Sequence, residues 1–310
     1  MILTVTLNPS IDKLYLLPAV EPESVMRVQE VHNSAGGKGL NVSRVAALLG
    51  EPVTAMGFLG GHNGAYLRSL IREPNILPAF TEIQGETRCC INCWDLSSGK
   101  STEYLEPGVP VSPEEVNRFL HDFDERLPGA NAVTISGSIP KGVPEGIYGE
   151  LIRRCKQVGI PILVDTSGRL LQRAAAEKPD FLKPNTDEIR QLTGSLLEGA
   201  DDYVGAARQL HRSGIGCAVI SMGADGALLA CNAGIWKGCS PRIVPRNTVG
   251  CGDSMVAAFA VGVARKLPVE ESFRMALAVS AANALSLFTG FFERADYARL
   301  YAQISLERIE

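Results

Sequence analysis

The stretch IPILVDTSGRLLQRAAAEKPDFLK, residues 160–183, decides the fold. A β-rich apolar run, Ile160 to Asp165, gives way to a segment of helical period and then to a second β-rich run, Phe181 to Lys183. The same succession recurs from about residue 130 onward: Ala132 to Ser136 and Cys217 to Ser221 are also each followed by a helical pattern. Strands alternating with crossover helices make βαβ units, and these imply a parallel sheet covered by helices on both faces.

Further helical candidates are Pro113 to Arg126, Pro144 to Gln157, Asp201 to Ser213, Gly252 to Arg265 and Glu270 to Phe288, where apolar residues recur at three and four. Toward the N-terminus the alternation breaks. Lys13 to Val31 and Thr87 to Leu105 are strand-like, with turn residues such as Ser97-Ser98-Gly99, and neither holds a helix long enough for a crossover. They read either as two edge hairpins or as one small antiparallel sheet, a lid built from about 13–34 and 87–106 and flanked by Gly36-Gly37 and Gly108.

A chain of 310 residues with 45% hydrophobic content buries one main core, so a single α/β domain over residues 1–310 is expected. The formal charge of -4 excludes a phosphate-backbone partner, which needs a basic surface. Met1 leads straight into the strand-like Ile2 to Leu7 with no basic leader, and no apolar run reaches the roughly 20 residues of a membrane span. A cytoplasmic protein acting on small molecules is the expectation. The eight cysteines are scattered and read as reduced thiols. Cys90 and Cys93 form a C-x-x-C in a strand, where side chains three apart face opposite ways, and the four histidines lack metal-type spacing, so no zinc site is expected.

Five short stretches carry chemistry. In NTVGCGDSM, residues 247–255, a glycine turn opens a long small-residue helix, presenting free N–H groups and the positive dipole end to an anion. Asp253 in that first turn reads as a helix cap or as a base for an attacking hydroxyl. In SAGGKGLN, residues 34–41, Gly37 lets backbone approach a ligand while Lys38 and Asn41 offer donors, or else the turn simply ends in a solvated lysine. Asp12 in NPSID follows the first strand, where open α/β sheets bind ligands. In KPNTDE, residues 183–188, Asn185 and Glu188 share a helix face and suit a magnesium ion held through water, or form an acidic helix start. SMGADG, residues 221–226, reads as a nucleotide-lining loop or a plain turn. Neither a P-loop nor G-x-G-x-x-G occurs, which removes P-loop enzymes and dinucleotide oxidoreductases.

Taken in order, LNPSID, GGKGLN, GETR, SGSIPKG, KPNTDE, SMGADGA and NTVGCGDSM resemble the ribokinase-like (PfkB) carbohydrate kinase family across residues 1 to 290. TLNPSID, the Arg of GETR and the basic residue of SGSIPKG are similar to the branch containing tagatose-6-phosphate kinase and 1-phosphofructokinase. The resemblance implies a Rossmann-like, mostly parallel sheet flanked by helices, with a small β lid, and ATP and Mg²⁺ as cosubstrates. It implies Asp253 as base and the backbone of Gly250, Cys251 and Gly252 as anion hole. Asp12, Gly37, Lys38 and Asn41 would bind sugar, and Arg88 and Lys141, helped by Lys38 and Arg27, would bind the sugar's phosphate. Lys183, Asn185, Ser221, Gly223, Gly226 and Asn283 would serve the nucleotide, with Glu188 and Asn185 organising magnesium. A homodimer formed through the lids would let Arg27 reach a neighbouring subunit. Cys251 departs from the family's usual Ala or Ser, and a helix N-terminus is expected to make that thiol reactive. A non-catalytic sugar-phosphate sensor on the same fold would need neither Asp253 nor Glu188.

Overall fold

The computed structural model describes residues 1–194, 197 and 199–310. In chain order the strands are β1 (Ile2–Thr6), β2 (Ser10–Leu17), β3 (Glu30–Gly36), β4 (Val53–Gly60), β5 (Ile76–Pro78), β6 (Thr81–Ile83), β7 (Arg88–Asp95) and β8 (Lys100–Leu105). They continue with β9 (Ala132–Ser136), β10 (Ile162–Asp165), β11 (Phe181–Leu182), β12 (Cys217–Ser221), β13 (Ala227–Cys231), β14 (Gly234–Cys239) and β15 (Ser305–Arg308). The helices are α1 (Lys38–Leu48), α2 (Gly61–Leu70), α3 (Pro113–Arg126), α4 (Ile147–Gln157) and α5 (Gly168–Ala176), then α6 (Thr186–Thr193), α7 (Ala200–Arg212), α8 (Cys251–Ala264), α9 (Val269–Leu285) and α10 (Arg294–Tyr301).

The main sheet runs β15-β14-β13-β12-β11-β10-β9-β1-β4-β5, with β6 also paired to β4. It is parallel from β5 through β12, as the 160–183 stretch predicts, and turns antiparallel at β13, β14 and β15. Strands β1, β4, β9 and β10 are buried along their whole length because helices cover both faces. Alternate residues feed two cores: Ile2 packs with α1, α8 and α9, while Leu3 and Val5 pack with α3, α4 and α7. Helix α8 is apolar nearly all round and is buried from Asp253 to Gly262. Its small residues allow a close approach to α9; a Cβ on Gly262 would lie 2.0 Å from Ser272 Oγ.

The second sheet, ordered β3-β2-β7-β8, stands apart from the first. Two antiparallel hairpins, β2–β3 and β7–β8, are joined by a parallel pairing of β2 with β7. That central pairing is parallel because the chain leaves after β3, builds α1 to β6 of the main body, and returns at β7. The sheet begins at Ser10, three residues before the expected 13, and places Asp12 and Arg88 at its base.

Helix ends follow local chemistry. Ser112 and Glu115 form a reciprocal capping box with Pro113 in the first turn of α3, which explains the sharp start there. Helix α9 ends at Leu285, short of the expected Phe288, because Ser286 turns extended and its Oγ accepts the N–H of Phe288 at 2.9 Å.

Candidate active site

Strand β1 lies between β9 and β4, so the crossovers leave it in opposite directions and a crevice opens at the carboxyl ends. There a cavity of about 1020 Å³ lies between the main sheet, the base of the small sheet and the start of α8. The motifs converge on it because each follows the end of a neighbouring strand: NPSID follows β1, SGS follows β9, Asp165 ends β10, KPN follows β11 and Ser221 ends β12. Asp12, Gly37, Lys38, Asn41, Arg88, Lys183, Asn185, Glu188, Ser221, Gly250, Gly252 and Asp253 all line it.

At the start of α8, Gly250 adopts φ 81, and a Cβ there would meet Thr289 Cγ2 at 2.8 Å and Gly290 N at 3.0 Å. Glycine alone turns this corner freely. Beyond it, the N–H groups of Gly252 and Asp253 have no backbone acceptor, whereas that of Cys251 bends back to the carbonyl of Thr248 at 3.3 Å. Among the described residues the N–H groups of Gly250, Gly252 and Asp253 are therefore free at the positive helix end, while that of Cys251, implied as part of the anion hole, is used within the turn.

Asp253 is 5% exposed and accepts a hydrogen bond on Oδ2 from Asn41 Nδ2 at 2.8 Å. Burial pushes its carboxyl up to about 6, while Lys38 and Asn41 restrain the rise. A carboxylate of that strength is ionised at neutral pH and basic enough to take a proton. Nearby, Asp165, 1% exposed, faces Lys183 Nζ at 3.2 Å through Oδ1 and Lys38 Nζ at 3.7 Å through Oδ2. Burial alone would raise the Asp165 carboxyl, but the two ammonium groups outweigh it and hold it below the ordinary range. Asp165 in turn holds Lys38 well above the usual lysine range. Lys183 is pressed against the helix start, since a Cβ on Gly252 would lie 3.1 Å from its Nζ.

At the other end, Asp12 receives a hydrogen bond from Ser10 Oγ at 2.6 Å, and burial pushes its carboxyl up. Gly36 must be glycine because a Cβ there would fall 1.9 Å from Asp12 Cγ. Arg88 donates through Nε and Nη2 to the carbonyl of Asn8 at 3.2 and 2.8 Å and through Nη1 to that of Glu106 at 2.8 Å. It therefore fastens the small sheet to the end of β1 and keeps only its remaining N–H groups for a ligand. Arg44, which sequence reasoning missed, also lines the cavity, pairs with Glu73 at 3.3 Å and donates to the carbonyls of Ala35 and Thr289. Its position one turn after Asn41 was the available signal.

Asn185 and Glu188 form a capping box on α6: Asn185 Oδ1 accepts the N–H groups of Asp187 and Glu188, and Glu188 Oε2 accepts that of Asn185. Among the described residues Glu188 Oε1 has no hydrogen-bond partner, and Glu188 lines the cavity. Among the described residues no group of three His, Cys, Asp or Glu could hold a metal by itself. One free carboxylate oxygen beside a cavity of this size fits an ion that keeps most of its waters, as magnesium does.

The remaining expected site residues lie elsewhere. Lys141 and Arg27 are exposed and do not line the cavity. Gly223 and Gly226 form the turn after β12 outside the lining; at Gly226 a Cβ would fall 2.0 Å from the carbonyl of Gly238, so close strand passage explains that glycine. Asn283 is fully buried, donates to the carbonyl of Val249 and accepts from the N–H of Phe291. Its amide is committed to bracing the loop before α8, which leaves nothing for a base. The Cys251 thiol is not activated as expected: burial pushes it up, and Asn283 Nδ2 approaches its sulfur at 3.4 Å.

A helix start with free N–H groups, an adjacent buried carboxylate and flanking lysines suit phosphoryl transfer. The profile of the pfkB family carbohydrate kinases matches residues 5–292, so the chain belongs to that family and is an ATP-dependent sugar kinase. Phosphofructokinase-2 from Escherichia coli, solved with potassium, is 31% identical over 97% of this chain and 98% of that chain, with a TM-score of 0.90. The same enzyme solved with fructose-6-phosphate is 29% identical over 97% and 98%, with a TM-score of 0.88. A possible 1-phosphofructokinase from Thermotoga maritima is 30% identical over 100% of both chains, with a TM-score of 0.88. No helix among the described residues is long and apolar enough to cross a membrane.

Proposed function

We propose that this kinase phosphorylates a ketohexose phosphate, tagatose 6-phosphate or fructose 1-phosphate, to the 1,6-bisphosphate, with fructose 6-phosphate as the alternative acceptor. The observation that carries the reading is the placing of Asp253, hydrogen-bonded to Asn41, beside the free N–H groups of Gly252 and Asp253. Asp253 takes the proton of the acceptor's primary hydroxyl, the oxygen forms a bond to the γ-phosphorus of ATP, and the bond to ADP breaks. The developing phosphoryl charge falls between the start of α8 and Lys183.

Asp12 and Asn41 orient the sugar. Arg88, Lys13 and Arg72 line the same cavity, and cations there favour an acceptor that already carries phosphate. The Escherichia coli relative solved with fructose-6-phosphate is in keeping with this. Glu188, with Asn185 behind it, would hold magnesium through water, and the ion supplies charge neutralisation on the ATP phosphates. The small sheet serves as the lid. Tyr104 on its β8 edge is 60% exposed, and pairing of two lids in a homodimer would cover it and bring Arg27 toward the partner's site.

The test is ADP release with MgATP against tagatose 6-phosphate, fructose 1-phosphate, fructose 6-phosphate, fructose and ribose. One dominant phosphorylated ketohexose is expected; preference for an unphosphorylated sugar would refute the acceptor assignment. Elution as a monomer at micromolar concentration would refute the dimer.

A further inference from the structure

Asp165 takes no step in the reaction above, yet it occupies the middle of the site. It ends β10, is almost wholly buried, and faces one ammonium group with each oxygen, Lys183 at 3.2 Å and Lys38 at 3.7 Å. Lys38 opens α1, the helix that carries Asn41; Lys183 follows β11 directly, just before the Asn185–Glu188 box. One carboxylate thus ties the element that holds the sugar to the element that faces the nucleotide phosphates. It caps no helix, since α5 begins beyond it with Ser167 as its N-cap. Two ammonium groups this close repel a metal ion, so Asp165 is no cation ligand. The two ammonium groups are the partners of its oxygens, and among the described residues the Ser136 hydroxyl opposite it in the β9–β10 register has no partner and lines the cavity.

We propose that Asp165 is a positioning residue for phosphoryl transfer, a buried counter-charge that keeps Lys38 and Lys183 fixed on either side of the path from ATP to the acceptor. The proposal rests on the kinase reading. Lysine heads ride on flexible stems, and a buried ammonium without a counter-charge tends to lose its proton or swing to water. Lys183, 4% exposed, has no route to solvent that keeps it beside Gly252. The charge also reaches Asp253, which is faced by Lys38 and Asn41 from α1, Lys183 from the end of β11, Asp165 from β10 and the Cys251 thiol on its own helix. Removing Asp165 leaves two unbalanced cations around the base, so the base becomes easier to ionise.

Asp165→Asn tests this, with the acceptor that the panel identifies. kcat should fall about 10- to 100-fold, the scale of a misplaced catalytic group, with a smaller rise in acceptor KM. The acid limb of kcat/KM should move to lower pH relative to wild type on identical substrates, whose own titration cancels in the comparison. Wild-type kinetics overturn the proposal, and so does a slowed enzyme whose acid limb is unmoved, since a purely structural role predicts that. Should the Asn variant fail to fold, Asp165→Glu keeps the charge at a longer reach: lower kcat with the acid limb in place supports the clamp, and full activity refutes it. Failure of the wild-type chain to turn over any acceptor would instead refute the kinase reading, independently of either variant.

Discussion

Asn41 Nδ2 donates to Asp253 Oδ2 at 2.8 Å, joining the first turn of α1 to the first turn of α8 across 212 residues of sequence. The bond favours the ionised carboxylate and opposes the burial that raises it. Asn41→Ala should therefore raise the pKa of the base above about 6. A hydrogen bond to a charge is worth about 1.5–3 kcal/mol, so the acid limb of kcat/KM should move up by about one pH unit or more. An unmoved limb would mean that Asn41 acts only on the sugar.

Asp253→Asn should lower kcat about 100-fold or more, the share of a general base, while acceptor binding persists. The same change should stabilise the fold. A carboxyl moved from 3.8 to about 6 by burial costs about 1–3 kcal/mol once ionised. The sign follows from the unfolded chain, which releases this proton more readily: the cost is complete above about pH 6 and absent below 3.8. Thermal melts should show the variant more stable at pH 8 and equal to wild type near pH 4; equal melting at pH 8 would contradict the burial argument.

Arg88→Lys should act on the small sheet before it acts on chemistry. Lysine cannot span the carbonyls of Asn8 and Glu106, which Arg88 now bridges. Acceptor KM should rise about tenfold, one lost charge-assisted contact, with kcat less affected, and limited proteolysis within 88–105 should quicken. Unchanged proteolysis would separate Arg88 from the sheet's anchorage.

Cys251 should resist alkylation. Its thiol is raised by burial, and Asn283 lies against the sulfur, so thiolate is scarce at neutral pH. Incubation with iodoacetamide at pH 7 should leave activity intact, and Cys251→Ser should retain turnover within a few-fold. Rapid inactivation that the Ser variant escapes would show the helix dipole outweighing burial.

The parallel sheet was legible because βαβ units write their period directly into sequence, and each motif's place at a strand end follows from that topology. Helix α2 was not legible. It opens with Gly61, His62, Asn63 and Gly64, poor helix formers, and its cap is the distant Glu86 carboxylate, which accepts the N–H groups of His62 and Asn63 at 3.0 and 2.9 Å. Asp253 and Asn41 could be picked out from their motifs as candidate base and sugar ligand, but not their mutual bond. Asp165 went unread for a related reason. An aspartate ending a strand looks ordinary until the fold brings Lys38 and Lys183 to it from 127 residues upstream and 18 residues downstream. Asn283 misled in the opposite sense: its amide faces inward to Val249 and Phe291, and sequence carries no sign of which way a helical side chain is used.

The small sheet is stitched to the main body by four passages of chain, after β1, after β3, before β7 and after β8. A flap on one hinge swings freely; one on four seams can only rock. Any opening must bend all four together, and two of them lead to the residues proposed to meet the sugar, Asp12 just past the first seam and Lys38 just past the second. Under the proposed function, rocking of the sheet and the aim of Lys38 are expected to be geared to one another, so that an acceptor held by Asp12 would turn the same linkage that sets the lysine.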